Sequence, residues 1–332
     1  MGTASYLVRE IEQGLREIHP NLRKTVVKKL APTVAAVLQT QTANTVAWAA
    51  VLPIKTERTD MRLQWISRLL ANPLLDSRQI MEPFARRQLA EAARNGQVIV
   101  IGMDQTDLGK HRFAILMLSV RVGDRALPLI WMIEPEAANL GFEAQRGLLE
   151  ILVGWLPEGA RVLLAADRFY PSADLFHWLQ ARQWGYRLSL KGDHAVDVGR
   201  PGIRVTADLA CGMQECYERN ARLFQSEIVT NIGVLHETGH AEPWIVAMEC
   251  IPTRAVVRDY GLRWTIEPMF SDFKTCGFGL EDTQLRHADR VGHLVLIMTL
   301  AMYWGTDVEH RDARESLTPL EDKDDGCAAH VA

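Results

Sequence analysis

The sequence predicts an α/β protein. Its core is a mixed sheet in the order βββαβαβ followed by a helix, with a mainly β insertion before that last helix and an α-helical domain at the N-terminus. Three observations lead there. From Ser5 to about Asn95, apolar residues recur at three and four, the helical period. From Gly96 the text turns into short apolar runs rich in Val, Ile and Leu, separated by Gly and Pro. Two of those runs, "VIVIGM" and "VLLAA", lead directly into an aspartate, Asp104 and Asp167. The expected divisions are a helical domain over 1–95, a catalytic α/β domain over 96–305 with an insertion at about 193–243, and an acidic, disordered tail over 306–332.

Each element has a local reason. Pro20, Pro32, Pro53 and Pro73 cut the N-terminal region into several short helices. "HPNLRKTVVKK" places Arg23, Lys24, Lys28 and Lys29 close together, which suits either a solvated helix face or contact with DNA backbone. "QVIVIGMDQT" reads as a buried strand ending at Asp104. "RFAILMLSVRVG" and "RALPLIWMIEP" follow as strands joined by a Gly123-Asp124 hairpin. "NLGFEAQRGLLEILVGWLP" is a helix stopped by Pro157 and Gly159, and "RVLLAADRFY" a strand ending at Asp167. "SADLFHWLQARQWG" is a helix with Ser172 as N-cap and Gly185 past its end, and "YRLSLKG" is another strand. After the looser insertion, "WIVAMEC" returns to a buried strand. One helix is expected from about Arg254 to Lys274 and another from about His287 to Trp304. Asp107 and Asp124 are read as turn residues.

Composition limits the function classes. Nearly half the residues are apolar and about a quarter charged, as in a globular protein. No apolar run approaches the ~18 residues of a transmembrane span. The first residues lack the basic-then-apolar pattern of a signal peptide. Five cysteines in 332 residues do not form a disulfide framework, so a reducing cytoplasm is expected. The net charge of −4 conceals an asymmetry. From Thr306 onward there are eight acids and three bases, a net −5, which leaves the rest of the chain at +1. A local basic surface for nucleic acid is therefore compatible with the overall sign.

The stretch "YGLRWTIEPMFSDFKT" carries the most specific pattern. At ~100° per residue, Tyr260, Arg263, Glu267 and Lys274 fall within about a 60° arc of one helix. Leu262, Ile266, Met269 and Phe273 form its apolar floor. Arg263–Glu267 alone is an ordinary i,i+4 pair, but that would not call for Lys274 two turns on. Glu267 becomes the candidate third acid beside Asp104 and Asp167, since Mg²⁺ takes carboxylates together with phosphate oxygens. Pro268 disfavours helical geometry at Glu267 and predicts a kink there.

These residues resemble a DDE-type bacterial insertion-sequence transposase of the family with a Tyr-x2-Arg-x3-Glu-x6-Lys signature. Tyr260, Arg263, Glu267 and Lys274 match at every position, "MDQT" at Asp104 matches the first-acid motif and "ADRFY" at Asp167 the second. The resemblance covers about 96–304. It implies an RNase H-like (retroviral-integrase-like) catalytic domain in which Asp104, Asp167 and Glu267 carry Mg²⁺ or Mn²⁺. It further implies cleavage at the ends of a mobile element and strand transfer by the freed 3′-hydroxyl into target DNA. Arg263, Lys274 and Tyr260 would contact DNA phosphates. The partners would be double-stranded DNA (terminal inverted repeats and target) and a second copy of the chain in the synaptic complex. Action would be cytoplasmic, at the nucleoid. In some relatives a tryptophan of the insertion stacks on a flipped base; Trp244 is either that residue or core.

Other patterns compete. "HETGH" (His236 to His240) has the spacing of a zinc-protease motif, but that motif works on a helix and here Gly239 interrupts it. Cys211 and Cys216 with His236 and His240 have the wrong spacing for a zinc finger. "LGKH" (Leu108 to His111) reads as a turn. Two alternatives to an active transposase stay open: a non-catalytic, DNA-binding transposase remnant, and an unrelated metal-dependent phosphohydrolase using Asp104 and Asp167.

Overall fold

The computed structural model describes residues 3–108, 113–135, 140–225, 227–237, 242–274 and 277–315. Five helices come first: α1 (Thr3–Ile18), α2 (Lys24–Thr40), α3 (Thr45–Val51), α4 (Thr59–Leu70) and α5 (Ser77–Ala92). Then follow β1 (Val98–Leu108), β2 (Phe113–Val122), β3 (Arg125–Pro135), α6 (Phe142–Trp155), β4 (Arg161–Ala166), α7 (Ala173–Ala181) and β5 (Gly185–Ser189), the expected βββαβαβ order. The insertion contributes β6 (Val196–Asp197), β7 (Glu215–Leu223) and β8 (Ile228–Leu235). The chain ends with β9 (Trp244–Met248), α8 (Arg254–Arg258), a 3₁₀ segment (Asp259–Thr265), α9 (Ile266–Phe273) and α10 (Ala288–Glu315).

All nine of these strands form one mixed sheet, β3-β2-β1-β4-β5-β9-β8-β7-β6. The meander β1-β2-β3 is antiparallel, with β2 and β3 joined through Gly123-Asp124 and Val122 paired to Arg125. Gly123 supplies the positive φ of 62° that so tight a turn requires. The helical crossovers α6 and α7 make β1-β4-β5 parallel. Beyond β5, the insertion continues the same sheet in antiparallel register, since β9 pairs with both β5 and β8.

The N-terminal helices share a continuous apolar core with the sheet. Helix α10 carries that core: Val291 and Leu294 to Met298 are buried, and it packs on α2, α4 and β3. Two polar anchors fix it. His293 Nδ1 bonds the Leu70 carbonyl at 2.7 Å, and the Tyr303 hydroxyl donates to the Pro128 carbonyl at 2.9 Å. Among the described residues no helix is long and apolar enough to cross a membrane.

Five local expectations are corrected. Strand β1 does not end at Asp104 but runs on to Leu108 beside β2, which places Asp107 opposite Ala114 in the strand pair rather than in a turn. Helix α7 has its Ser172 cap, accepting from the Leu175 amide at 3.2 Å, but the left-handed residue after it is Gln183 (φ 56°). Gly185 instead opens β5, where a Cβ would crowd Leu163, Glu249 and the Val162 carbonyl at 3.1–3.3 Å. The single helix expected over 254–274 is three pieces, α8, the 3₁₀ segment and α9. A continuous α-helix would require Pro268 to donate to the Trp264 carbonyl, which it cannot do, and would press its ring against that carbonyl. The chain tightens into 3₁₀ and restarts, leaving Pro268 in the first turn of α9, where no donor is needed. Finally, α10 continues to Glu315, so the first ten residues of the expected tail are helical; 316–332 lie outside the described residues.

Candidate active site

The parallel register of β1 and β4 positions the first two acids. Its last pair is Met103 with Ala166, so Asp104 and Asp167 are the next residues on adjacent strands and project to the same side. Each carboxylate accepts the amide of the following residue: Gln105 N to Asp104 Oδ1 at 2.8 Å, Arg168 N to Asp167 Oδ1 at 2.6 Å. The Tyr170 hydroxyl donates to Asp104 Oδ1 at 3.2 Å.

The third acid arrives on α9, whose first residue, Ile266, rests on β1. Gly102 lies beneath it: a Cβ there would meet Ile266 Cδ1 at an ordinary 3.6 Å and would crowd only Ser119 Oγ of β2, at 3.1 Å. As predicted, Ile266, Met269 and Phe273 form a buried floor, while Leu262 is half-buried. The 3₁₀ segment is tied to the sheet by Arg187 of β5. Its buried guanidinium donates to Glu249 (3.0 Å), to the Val256 carbonyl (3.1 Å) and to Asp259 (3.5 Å), the residue before Tyr260.

Tyr260 and Arg263 lie three apart on that segment, where side chains eclipse. Both are buried. Arg263 links the acids. Its Nη1 donates to Asp104 Oδ2 at 3.1 Å, its Nη2 to Glu267 Oε1 at 2.7 Å, and its Nε to the Tyr260 hydroxyl at 3.1 Å. That hydroxyl donates to Asp167 Oδ1 at 3.4 Å. Lys274 caps the C-terminus of α9 and pairs with Glu281 at 3.5 Å.

Burial and like charge set the protonation tendencies. Burial pushes the Asp104 carboxyl above the usual carboxylate range; the charge of Asp167 adds to this, and the Arg263 guanidinium and Gln105 amide oppose it. Burial would release the Arg263 proton, but Tyr260, Asp104, Asp167 and Glu267 outweigh it and hold the guanidinium more firmly charged. Tyr170 stays a neutral donor, its ionisation suppressed by burial and by the charge of Asp104.

Among the described residues, the lining of a cavity of about 830 Å³ includes six carboxylates (Asp104, Asp107, Asp167, Glu267, Glu281, Asp282) and two cations, Arg263 and Lys274. So negative a cleft draws cations, and hard carboxylate oxygens are the donors Mg²⁺ and Mn²⁺ take. As placed, however, Glu267 and Asp104 each engage one arm of Arg263. Among the described residues, no three His, Cys, Asp or Glu side chains converge closely enough to hold a metal. Asp104, Asp167 and Glu267 present the oxygen donors a divalent cation takes, and in this arrangement Arg263 holds Asp104 and Glu267 instead. A second cavity of about 370 Å³ lies across Asp167 and Arg263 and is lined by Trp244 and Trp264. Those two rings meet edge to face at 5.2 Å, and Trp244 meets Tyr260 likewise at 5.6 Å.

Arg23, Lys24 and Lys28 are exposed and Lys29 half-buried; none lines either cavity. Glu237 of "HETGH" pairs with Arg254 and Arg258, while Thr238, Gly239 and His240 lie outside the described residues. Cys211 is exposed; Cys216 is buried beside Arg200 and Glu218. Sequence reasoning passed over Tyr170, although "ADRFY" contains it three residues after Asp167, and over Glu281 and Asp282, which no local pattern marks.

Residues 144–304 match the family model described as a transposase DDE domain. That span begins within α6. It contains Asp167, Tyr260, Arg263, Glu267 and Lys274 and leaves Asp104 outside. No curated protein matches the chain. The match supports a DDE transposase.

Proposed function

We propose that the protein is a transposase of the branch with the Tyr-Arg-Glu-Lys signature, cutting DNA at the ends of a mobile element and joining the freed 3′-end to target DNA. One observation carries this: the β1–β4 register sets Asp104 beside Asp167, and the same cavity receives Glu267 through Arg263.

In this reading Asp104, Asp167 and Glu267 hold Mg²⁺ or Mn²⁺. When bound, the cation supplies Lewis acidity and lowers the pKa of water. The remaining work falls to the chain. Tyr170 and the Gln105 amide fix the orientation of Asp104. Arg263, released from Glu267, turns its planar fork to a DNA phosphate. Lys274, released from Glu281, meets another as a point charge. Tyr260 holds Arg263 in place and donates toward the substrate once Asp167 is engaged. The exposed Arg23, Lys24 and Lys28, with Lys29, lie on a helical module (1–95) that contacts DNA backbone, and two copies bridge two ends at the nucleoid in the cytoplasm.

The test is incubation of the full chain with duplexes from the gene's flanks and Mg²⁺. Cuts leaving 3′-hydroxyl ends at an inverted repeat, lost in Asp104→Asn, support the reading. Binding without cutting points to a non-catalytic remnant. Turnover of small phosphate esters with intact DNA points to a phosphohydrolase.

A further inference from the structure

Arg187 sits in the middle of β5, paired with Ala165 of β4 on one side and Met248 of β9 on the other. It is buried, as are its neighbours Tyr186 and Leu188. Tyr186 faces α7, where its ring meets Phe176 edge to face at 5.4 Å. Alternation along the strand sends Arg187 to the opposite face of the sheet. There it makes five hydrogen bonds: Nη1 to the Tyr186 carbonyl at 2.7 Å and Glu249 Oε2 at 3.0 Å, Nε to the Val256 carbonyl at 3.1 Å, and Nη2 to Cys250 Sγ and Asp259 Oδ2 at 3.5 Å each. A guanidinium has as many N–H groups, so none is left for a substrate. Arg187 lines neither cavity. Burying it costs desolvation that an apolar side chain of similar size would avoid. What it supplies instead is direction.

The 3₁₀ segment needs such direction. Of its seven residues, Tyr260 and Arg263 are the buried ones, and both end in polar groups. The Tyr260 ring packs with Leu235, Val246, Met248 and Val257, a single apolar anchor about which the segment can still turn. Arg187 adds two more, the Val256 carbonyl in α8 and the Asp259 carboxylate where the segment starts. Separated anchors fix a rotation that one anchor leaves open. That rotation decides the site, because turning the segment carries Arg263 off Asp104 and moves Glu267, which follows on α9. We propose that Arg187 is the positioning residue of this site: its fork sets the rotation of the 3₁₀ segment on the sheet, and so places Tyr260, Arg263 and Glu267 against Asp104 and Asp167. Its part in cleavage rests on the transposase reading; its hold on the segment does not.

The test reads the segment's place directly. Trp244 of β9 and Trp264 of the segment meet edge to face at 5.2 Å, so their near-ultraviolet circular dichroism reports that geometry without DNA or metal. The part of the spectrum lost in Trp264→Phe identifies their signal. Two variants of the full chain are compared with the unaltered protein. Arg187→Lys keeps the charge but replaces the planar fork by a point charge. Asp259→Ala cuts only the contact to the segment, at a carboxylate 45% exposed, so its Tm should stay within about 2 °C. Both should lose most of the Trp264-dependent signal. Both should also cut terminal-repeat DNA about tenfold to a hundredfold more slowly in a single turnover, as a small misplacement gives, with DNA affinity held within about twofold. The double variant should fall no further than Arg187→Lys alone, since the two changes break one route. If Arg187→Lys does not fold, Asp259→Ala decides. An intact signal in these variants, or full-rate cleavage once the signal is lost, would overturn the positioning role. If the unaltered chain cuts no DNA, the transposase reading falls and the circular dichroism still decides whether Arg187 holds the segment.

Discussion

Arg263 joins Asp104 and Glu267, residues 163 positions apart in sequence, through the two arms of one guanidinium, at 3.1 and 2.7 Å. The arm on Asp104 is nearly dry, with side-chain exposures of 8% and 18%, whereas Glu267 is 55% exposed. The two bonds are therefore unequal in worth. Removing one partner of a buried pair costs about 3–5 kcal/mol, and an exposed pair contributes about 0–1 kcal/mol. Arg263→Ala should lose about 3 kcal/mol in urea unfolding without metal. Mn²⁺ should raise its Tm more than that of the unaltered chain, because Arg263 no longer competes for the acids. An equal rise in both proteins would remove Arg263 as competitor.

Glu267→Gln separates chemistry from fold. Its stability should change by less than about 1 kcal/mol, since the lost ion pair is exposed. Cleavage of terminal-repeat DNA should fall about a hundredfold or more, the loss expected when several kcal/mol of charge stabilisation go. DNA affinity, read by gel shift, should hold. Near-normal cleavage would sink the assignment of Glu267.

Asp104 gives a pH dependence with a definite sign. Burial raises its folded pKa above the unfolded value, so between the two the folded state carries the extra proton. Its ionisation therefore lowers stability as pH rises through the folded pKa. Without metal, Asp104→Asn, which keeps an oxygen for Arg263 but loses the charge, should gain in Tm relative to the unaltered chain as pH rises from the ordinary carboxylate range to neutral. A relative loss of Tm over that range would show that the bond to Arg263 outweighs the cost of burial.

Lys274 and Glu281 form a removable pair at the cavity edge. Lys274→Ala should reduce the salt slope of DNA binding by about 0.9, one phosphate contact. Glu281→Gln should strengthen binding at low salt, because it frees Lys274 and removes a like charge from the DNA path. If both variants bind with an unchanged slope, Lys274 does not touch phosphate.

Gly233 of β8 tests how the site is supported. A Cβ there would overlap Val257 Cγ2 of α8. Gly233→Ala should cost about 1–3 kcal/mol by overpacking and, by lifting α8, loosen Tyr260 and Arg263. Cleavage should fall more than global stability alone explains; unchanged stability would show that Val257 simply turns aside.

Much of this protein follows from local sequence. The βββαβαβ order, the Gly123-Asp124 hairpin and the Ser172 cap each depend on residues a few positions apart, as do the apolar floor of Ile266, Met269 and Phe273. So does the common side of Tyr260, Arg263 and Glu267, because i,i+3 and i,i+4 neighbours meet in both kinds of helix. Pro268 announced a break, and the folded chain shows its form, a 3₁₀ segment followed by α9. The adjacency of Asp104 and Asp167 comes from strand register, which depends on partners far along the chain. The continuation of the sheet through β9 to β6, the place of Asp107 inside β1, and the arrival of Glu281 and Asp282 at the cavity have the same origin. So does the choice of Arg263 to reach back to Asp104 as well as forward to Glu267: a buried guanidinium takes whatever carboxylates the fold brings within reach, and only the packed fold determines which those are.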